Sequence, residues 1–250
     1  MSEYKSRIIK NSQLASTNAA FYDDRWAIEW LGIDGFKKIR GNFAKQCIQD
    51  YSQSKSLHIL EVGCGFAWMS LFLSEFGHYV GVDYSKKAID YACCVYSKYG
   101  EFYVANPNEV NLGLPEELFD IIVASEVIEH VQDHAAFFAQ IDLFLKHGGL
   151  FVLTTPNRLL YNTISKKYPE SMQPAENWLT PIELRDLLKA GGFRVIRHNG
   201  ALARTCRYGW RDRIVSWRLE KLSRILRLGK LYDRLLLRNS MYQFLAAVKN

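Results

Sequence analysis

The chain has 250 residues, of which 48% are hydrophobic, and carries a net charge of +6. That is enough for one large domain or two small ones, and with no run of about 18 or more apolar residues no transmembrane helix is expected. The positive surplus is local: residues 204–238 hold eleven Lys or Arg and three acids, and the rest holds 21 basic and 23 acidic residues. The charge therefore describes one segment, and a nucleic-acid-binding face spread over the whole domain is not expected. The start, Met1-Ser2-Glu3-Tyr4-Lys5, lacks the apolar core of a signal peptide. The cysteines (Cys47, Cys64, Cys93, Cys94, Cys206) show no CxxC spacing and no even framework. They read as reduced thiols, and the expected location is cytoplasmic.

In chain order, Phe21, Tyr22, Trp26, Trp30, Phe36 and Phe43 predict one or two amphipathic helices within residues 17–50. Leu57 to Val62 is the first strand. A helix follows from about Ala67 to Phe76, with Gly77 as its stop. Tyr79 to Val82 is the second strand, and Ser85 caps a helix through about Tyr96. Glu101 to Val104 is a short third strand. Phe119 to Ala124 is a fourth, apolar enough to be buried on both faces. Asp133 caps a helix to Lys146, and Gly148-Gly149 turns into the fifth strand, Leu150 to Thr154. Thr180-Pro181-Ile182-Glu183 is a capped helix start, and that helix ends at Gly191-Gly192. Phe193 to His198 is the sixth strand and Met241 to Val248 the last. This rhythm predicts the α/β class: a doubly wound, seven-stranded, mostly parallel sheet with N-terminal helices and a helical insert before the last strand. The expected organisation is a single domain over 1–250: a helical cap (1–50), a core (51–200), a basic amphipathic insert (201–240) and a final strand (241–250).

The most informative stretch is Leu57-His58-Ile59-Leu60-Glu61-Val62-Gly63-Cys64-Gly65, with Val80-Gly81-Val82-Asp83 after it. It is the first βαβ unit of a nucleotide-binding sheet. The glycines allow a tight turn and a close backbone approach to a ligand. Asp83, 18 residues after Gly65, stands where a carboxylate accepts from a ribose. A dinucleotide loop needs a third glycine, but here Gly65 is followed by Phe66-Ala67-Trp68. Glu61 would repel a pyrophosphate, yet it suits a ligand with an ammonium group and a sulfonium. A generic nucleotide turn is the plainer alternative.

At these residues the sequence resembles the class I S-adenosylmethionine-dependent methyltransferases, whose first motif reads E-x-G-x-G. Ala124-Ser125-Glu126-Val127-Ile128-Glu129-His130-Val131, Thr154-Thr155-Pro156-Asn157-Arg158 and Asn177-Trp178-Leu179-Thr180-Pro181-Ile182-Glu183-Leu184 extend the likeness to the ubiquinone-biosynthesis O-methyltransferases over about residues 57–198. The resemblance implies S-adenosylmethionine as cofactor, a last strand that runs antiparallel beside the sixth, and a binding set of Glu61, Gly63, Cys64, Gly65, Asp83, Tyr84, Asn106 and Ser125. Asn106 stands where the family has an acid; its amide oxygen can accept the same bond from the adenine, or Asn106-Pro107 is an ordinary turn.

Two acids and a histidine leave the fourth strand where the acceptor would lie. His130 is the candidate general base, because histidine titrates near neutral pH, with Glu126 or Glu129 orienting it. The alternative is that His130 caps or packs the next helix. Glu126, Glu129 and His130 also form E-x-x-E-H, which some relatives complete with a distant histidine to bind a divalent metal. Gln173 stands at that place here, so a metal is not favoured and no ligand is assigned. His134 is expected on the following helix, facing away.

In the insert, Ile214, Trp217, Leu219, Leu222, Ile225, Leu226, Leu228, Leu231, Leu235 and Leu236 recur at helical spacing among arginines and lysines. This implies a basic amphipathic helix, or two broken near Gly229. It is either a lid with a solvated basic face or a peripheral contact with an anionic membrane at the inner face, through residues 204–238. The function expected is O-methylation of a small or lipid-linked hydroxyl compound, such as a quinone precursor or a glycan sugar. RNA ribose 2'-O-methylation is the alternative within enzymes, and a catalytically silent cofactor-binding module lies outside them. N- or C-methylation stays open.

Overall fold

The structure, a computed structural model, describes residues 35–54, 56–106, 116–160, 177–203, 222 and 228–250. Phe21, Tyr22, Trp26, Trp30, Gln173 and residues 204–221 and 223–227 of the insert lie outside the described residues. The elements are α1 (Gly35–Tyr51), β1 (Leu57–Val62), α2 (Ser70–Leu73), β2 (Gly77–Asp83), α3 (Lys86–Val95), β3 (Glu101–Val104), β4 (Phe119–Ser125), α4 (His134–Phe144), β5 (Leu145–Pro156), α5 (Pro181–Ala190), β6 (Phe193–Ala203), α6 (Gly229–Arg238) and β7 (Ser240–Lys249). They build a seven-stranded sheet in the order β3-β2-β1-β4-β5-β7-β6. Strands β1 to β5 pair in parallel, and β7 runs antiparallel between β5 and β6.

Alternation along the central strands sends side chains to two cores, one on each face. On one face, Leu60, Ile122, Ala124, Phe151 and Leu153 pack with Phe137, Phe138 and Ile141 of α4 and Leu184 and Leu188 of α5. On the other, Ile59, Ile121, Val123 and Val152 pack with Ala44 and Ile48 of α1 and Ile89 and Ala92 of α3. Burial on both faces is why β4 reads as a continuous apolar run. The predicted caps form. Ser85 Oγ accepts from Ala88 N–H, Asp133 Oδ1 from Ala136 N–H, and Thr180 and Glu183 make a reciprocal capping box.

Several boundaries differ from the sequence expectation. The helix expected from Ala67 starts only at Ser70 and passes into a 3₁₀ turn over Ser74–Phe76. Ala67 has φ +56°, which no right-handed helix accommodates. Gly77 does end the 3₁₀ turn, but not in the left-handed cap conformation, and it is also the first residue of β2, so close to Leu57 that an added Cβ would lie 2.0 Å from its carbonyl oxygen. Strand β5 begins at Leu145, not Leu150, because the Gly148-Gly149 turn is a bulge within it. Finally, β6 runs on to Ala203 and β7 starts at Ser240, which shortens the insert to 204–239.

Candidate active site

The carboxyl ends of β1 to β5 lie along one edge of the sheet, and the residues singled out from the sequence gather there. After β1, the N–H groups of Gly63 and Cys64 both donate to Val82 O, at 2.8 and 3.0 Å. This folds the loop back over β2. Asp83, buried at the end of β2, accepts from Gly65 N–H on Oδ2 and from Ser85 N–H on Oδ1, each at 2.9 Å. The carboxylate thus clamps the glycine loop to the start of α3. A carboxylate in this place suits hydroxyl donors.

The two glycines do different work. Gly63 (φ +70°) presses on β4's loop, where an added Cβ would meet Val127 Cγ2 at 2.3 Å. Gly65 (φ +51°) has nothing within 4 Å of such a Cβ, which is the room a ligand needs. Gly63→Ala is expected to destabilise the fold by about 2–4 kcal/mol. Gly65→Ala should cost only about 1–2 kcal/mol but weaken cofactor binding by about tenfold or more. Thermal melting and calorimetry on the pair check this; equal melting temperatures for the two variants would contradict it.

Glu61 lies one layer deeper, 2% exposed, with Oε2 accepting from Tyr79 Oη at 2.5 Å. Burial raises its pKa to about 8, against the Tyr79 hydrogen bond and the Arg40 charge, which pull it down. Cys64 is buried beside it, where Gly81 lacks the Cβ that would crowd its sulfur, and burial pushes the thiol well up. Tyr84 and Asn106 are half-buried at the ends of β2 and β3.

At the end of β4, Glu126 has φ +59°, costly for a residue with a Cβ. Thr154 of β5 holds it there. Glu126 N–H donates to Thr154 O at 2.9 Å, and Thr154 Oγ1 donates to Glu126 Oε1 at 3.1 Å. Ser125 Oγ lies 2.8 Å from Thr154 Oγ1 and accepts from Arg40 Nη1 at 3.4 Å. A directed chain of hydrogen bonds therefore runs Arg40, Ser125, Thr154, Glu126. Glu129, fully buried, accepts from Thr155 Oγ1 at 2.9 Å. His130 ends the 3₁₀ turn Ile128–His130, and burial lowers its pKa to about 4. His134 opens α4 with Nε2 3.1 Å from Ile128 O, a structural contact. Among the described residues no three or more His, Cys, Asp or Glu side chains group as metal ligands.

Sequence reasoning missed Arg40. It is 3% exposed on α1, its guanidinium lies over Phe36 and Trp68, and its Nε has no hydrogen-bond partner. The signal was available: Lys37, Arg40, Gly41, Ala44 and Ile48 share the buried face of α1, so two cations occupy core-facing helical positions. Buried guanidinium without a full set of acceptors is expensive, and an anionic ligand group relieves it.

The fold and this edge define a Rossmann-like domain for a nucleoside cofactor. The chain belongs to the methyltransferase-domain family, which matches residues 36–198. A Mycolicibacterium smegmatis protein named a "probable S-adenosylmethionine-dependent methyltransferase" is 31% identical over 139 residues, 55% of this chain and 52% of that protein. A Coxiella burnetii ubiquinone biosynthesis O-methyltransferase is 30% identical over 162 residues, covering 58% and 67%. The chain thus spans between about half and two thirds of these relatives' lengths. The crystal structure of an S-adenosylmethionine-dependent methyltransferase from Mesorhizobium loti shares the fold, with a TM-score of 0.57 at 18% identity over 83% of this chain and 98% of that one.

S-adenosylmethionine is the cofactor of this family domain, and the residues fit it. Asp83 suits ribose hydroxyls, the space at Gly65 admits the ligand, and the orphaned Arg40 Nε suits a carboxylate. No helix among the described residues is long and apolar enough to cross a membrane.

Proposed function

We propose that the domain methylates a hydroxyl oxygen of a small or lipid-linked acceptor, with His130 as general base. The observation that carries this reading is the half-buried imidazole of His130 in the turn after β4, kept neutral by desolvation, four residues beyond the threonine-held Glu126. Bound S-adenosylmethionine supplies a methyl group on a positively charged sulfur, primed for displacement by an incoming oxygen. The chain's own work is then alignment and proton removal. Asp83 and Gly65 seat the nucleoside end, and Arg40 takes the carboxylate. His130 accepts the acceptor's proton. As the new O–C bond forms, that proton becomes far more acidic than in the free hydroxyl, so a base with a pKa of about 4 suffices. The similarity to a ubiquinone biosynthesis O-methyltransferase supports a hydroxyl acceptor.

The test is incubation of the protein with deuteromethyl-labelled cofactor and either cell extract or a prenylated catechol, read by mass spectrometry. A mass-shifted hydroxyl compound is expected. Labelled amines or labelled RNA, with no labelled hydroxyl compound, would overturn the reading.

Glu61 yields a pH prediction. Its pKa of about 8 means it is mostly protonated at pH 7 in the free protein. The cationic cofactor settling nearby should lower that value and expel the proton. Affinity should then rise with pH toward about 8 and level off above. Calorimetry in buffers of different ionisation enthalpy should register this release for the native protein and not for Glu61→Gln; identical proton counts in the two would refute it.

A further inference from the structure

Strands β5 and β6 are both antiparallel to β7, so they run parallel to one another. The end of β6 at Ala203 and the start of β7 at Ser240 therefore lie on the same edge of the sheet as the active site. The basic insert leaves and re-enters the sheet there. Helix α6, at its end, is tied to the loop after β5. Asn157 Nδ2 donates to Leu237 O at 2.9 Å and to Ser240 O at 3.0 Å, and Leu237 is buried. The opposite face of α6 is apolar and open. Leu228, Leu231 and Leu235, at i, i+3 and i+7, are 49%, 53% and 50% exposed. Arg234 and Arg238, three and seven residues after Leu231, flank this stripe, and both are exposed. On the same edge stand two further exposed apolar residues, Leu159 just after Asn157 and Ile182 in the first turn of α5 (73% exposed). The Arg158–Glu183 ion pair links their segments.

Charge selects the occupant. Residues 204–238 carry eleven cations and three acids, and on α6 Asp233 is the one acid against Lys230, Arg234 and Arg238. A second copy of the chain would set like charges face to face, which costs affinity. Exposed leucines flanked by arginines match a surface with negative headgroups above an acyl layer. We propose that α6 seats the active-site edge on an anionic lipid surface. Leu228, Leu231 and Leu235 enter the acyl boundary, and Arg234 and Arg238 meet lipid phosphates. On the acceptor reading above, a lipid-linked hydroxyl would then reach the site without crossing water; the docking itself does not depend on that reading.

The test is flotation of the full chain with vesicles of phosphatidylcholine alone or with phosphatidylglycerol added, in salt of about 0.05 M and about 0.5 M. The protein should float with the anionic vesicles in low salt only. The double variants Leu231→Glu/Leu235→Glu and Arg234→Glu/Arg238→Glu should each bind about tenfold more weakly or worse, with melting temperature and cofactor binding unchanged. Absence of binding to anionic vesicles, equal binding to neutral ones, or undiminished binding by both variants overturns the proposal. So does self-association that Leu231→Glu/Leu235→Glu abolishes in a protein that never floats. Because vesicle binding needs no turnover, its failure is separable from failure of the O-methylation reading.

Discussion

His130→Ala is expected to lower kcat for a hydroxyl acceptor by about 10²- to 10⁴-fold, with cofactor affinity unchanged. The imidazole would take the acceptor's proton, and no other described group does so as readily: Glu126 is held by Thr154 and Glu129 by Thr155. Its pH behaviour follows from burial. With a pKa lowered from 6.5 to about 4, His130 stays unprotonated throughout the neutral range. Between pH 8 and pH 5, then, kcat should not fall on its account. Stability behaves differently. The unfolded chain binds a proton at this site below about pH 6.5 and the folded chain only near 4, so the stabilisation is complete above 6.5 and is lost as pH falls toward 4. His198, also lowered to about 4 by burial, adds to the same acid loss. Each should contribute on the order of 1 kcal/mol per pH unit in that window. Single-turnover rates and thermal melts from pH 8 to pH 4.5 read both effects. A His130→Ala rate within about twofold of the native one would end its role as base.

Asp83→Asn is expected to weaken cofactor binding by about 100-fold or more, the loss of roughly two charge-assisted hydrogen bonds. Both of its oxygens already accept backbone N–H groups, from Gly65 and from Ser85. An asparagine offers one oxygen and one NH₂ group, so one of these donors would face another donor. The glycine loop and the α3 start would separate, at an additional cost of about 1–3 kcal/mol in stability. Asp83→Ala removes both clamps and should do at least as much. Calorimetric titration with S-adenosylhomocysteine measures the affinity, and a near-native dissociation constant for either variant would show that the carboxylate does not meet the ligand.

Local features were the most legible part of this chain. Strand β3 falls where the pattern of Glu101 to Val104 puts it, and Ser85, Asp133 and Thr180 cap their helices as expected. These depend on residues within a few positions of each other. Boundaries set by distant partners were missed. Strand β6 extends to Ala203 because β7 pairs with it along its length, and Gly77 enters β2 because Leu57 lies against it. Ala67, an ordinary helix former, takes a left-handed conformation where the glycine loop turns into α2.

The chemistry divides along the same line. The acid–glycine–glycine–acid spacing points to the cofactor class by itself, since Glu61, the two glycines and Asp83 sit in one βαβ unit whose geometry is local and stereotyped. The roles of Arg40 and Thr154 are not local in this way. Arg40 reaches Ser125 across 85 residues, and Thr154 restrains Glu126 across 28. Neither contact exists until α1 packs on the sheet and β5 pairs with β4. A motif records what neighbouring residues do to one another, whereas a buried guanidinium with one nitrogen left unpaired, or a carboxylate held at positive φ, arises when distant segments exclude water together.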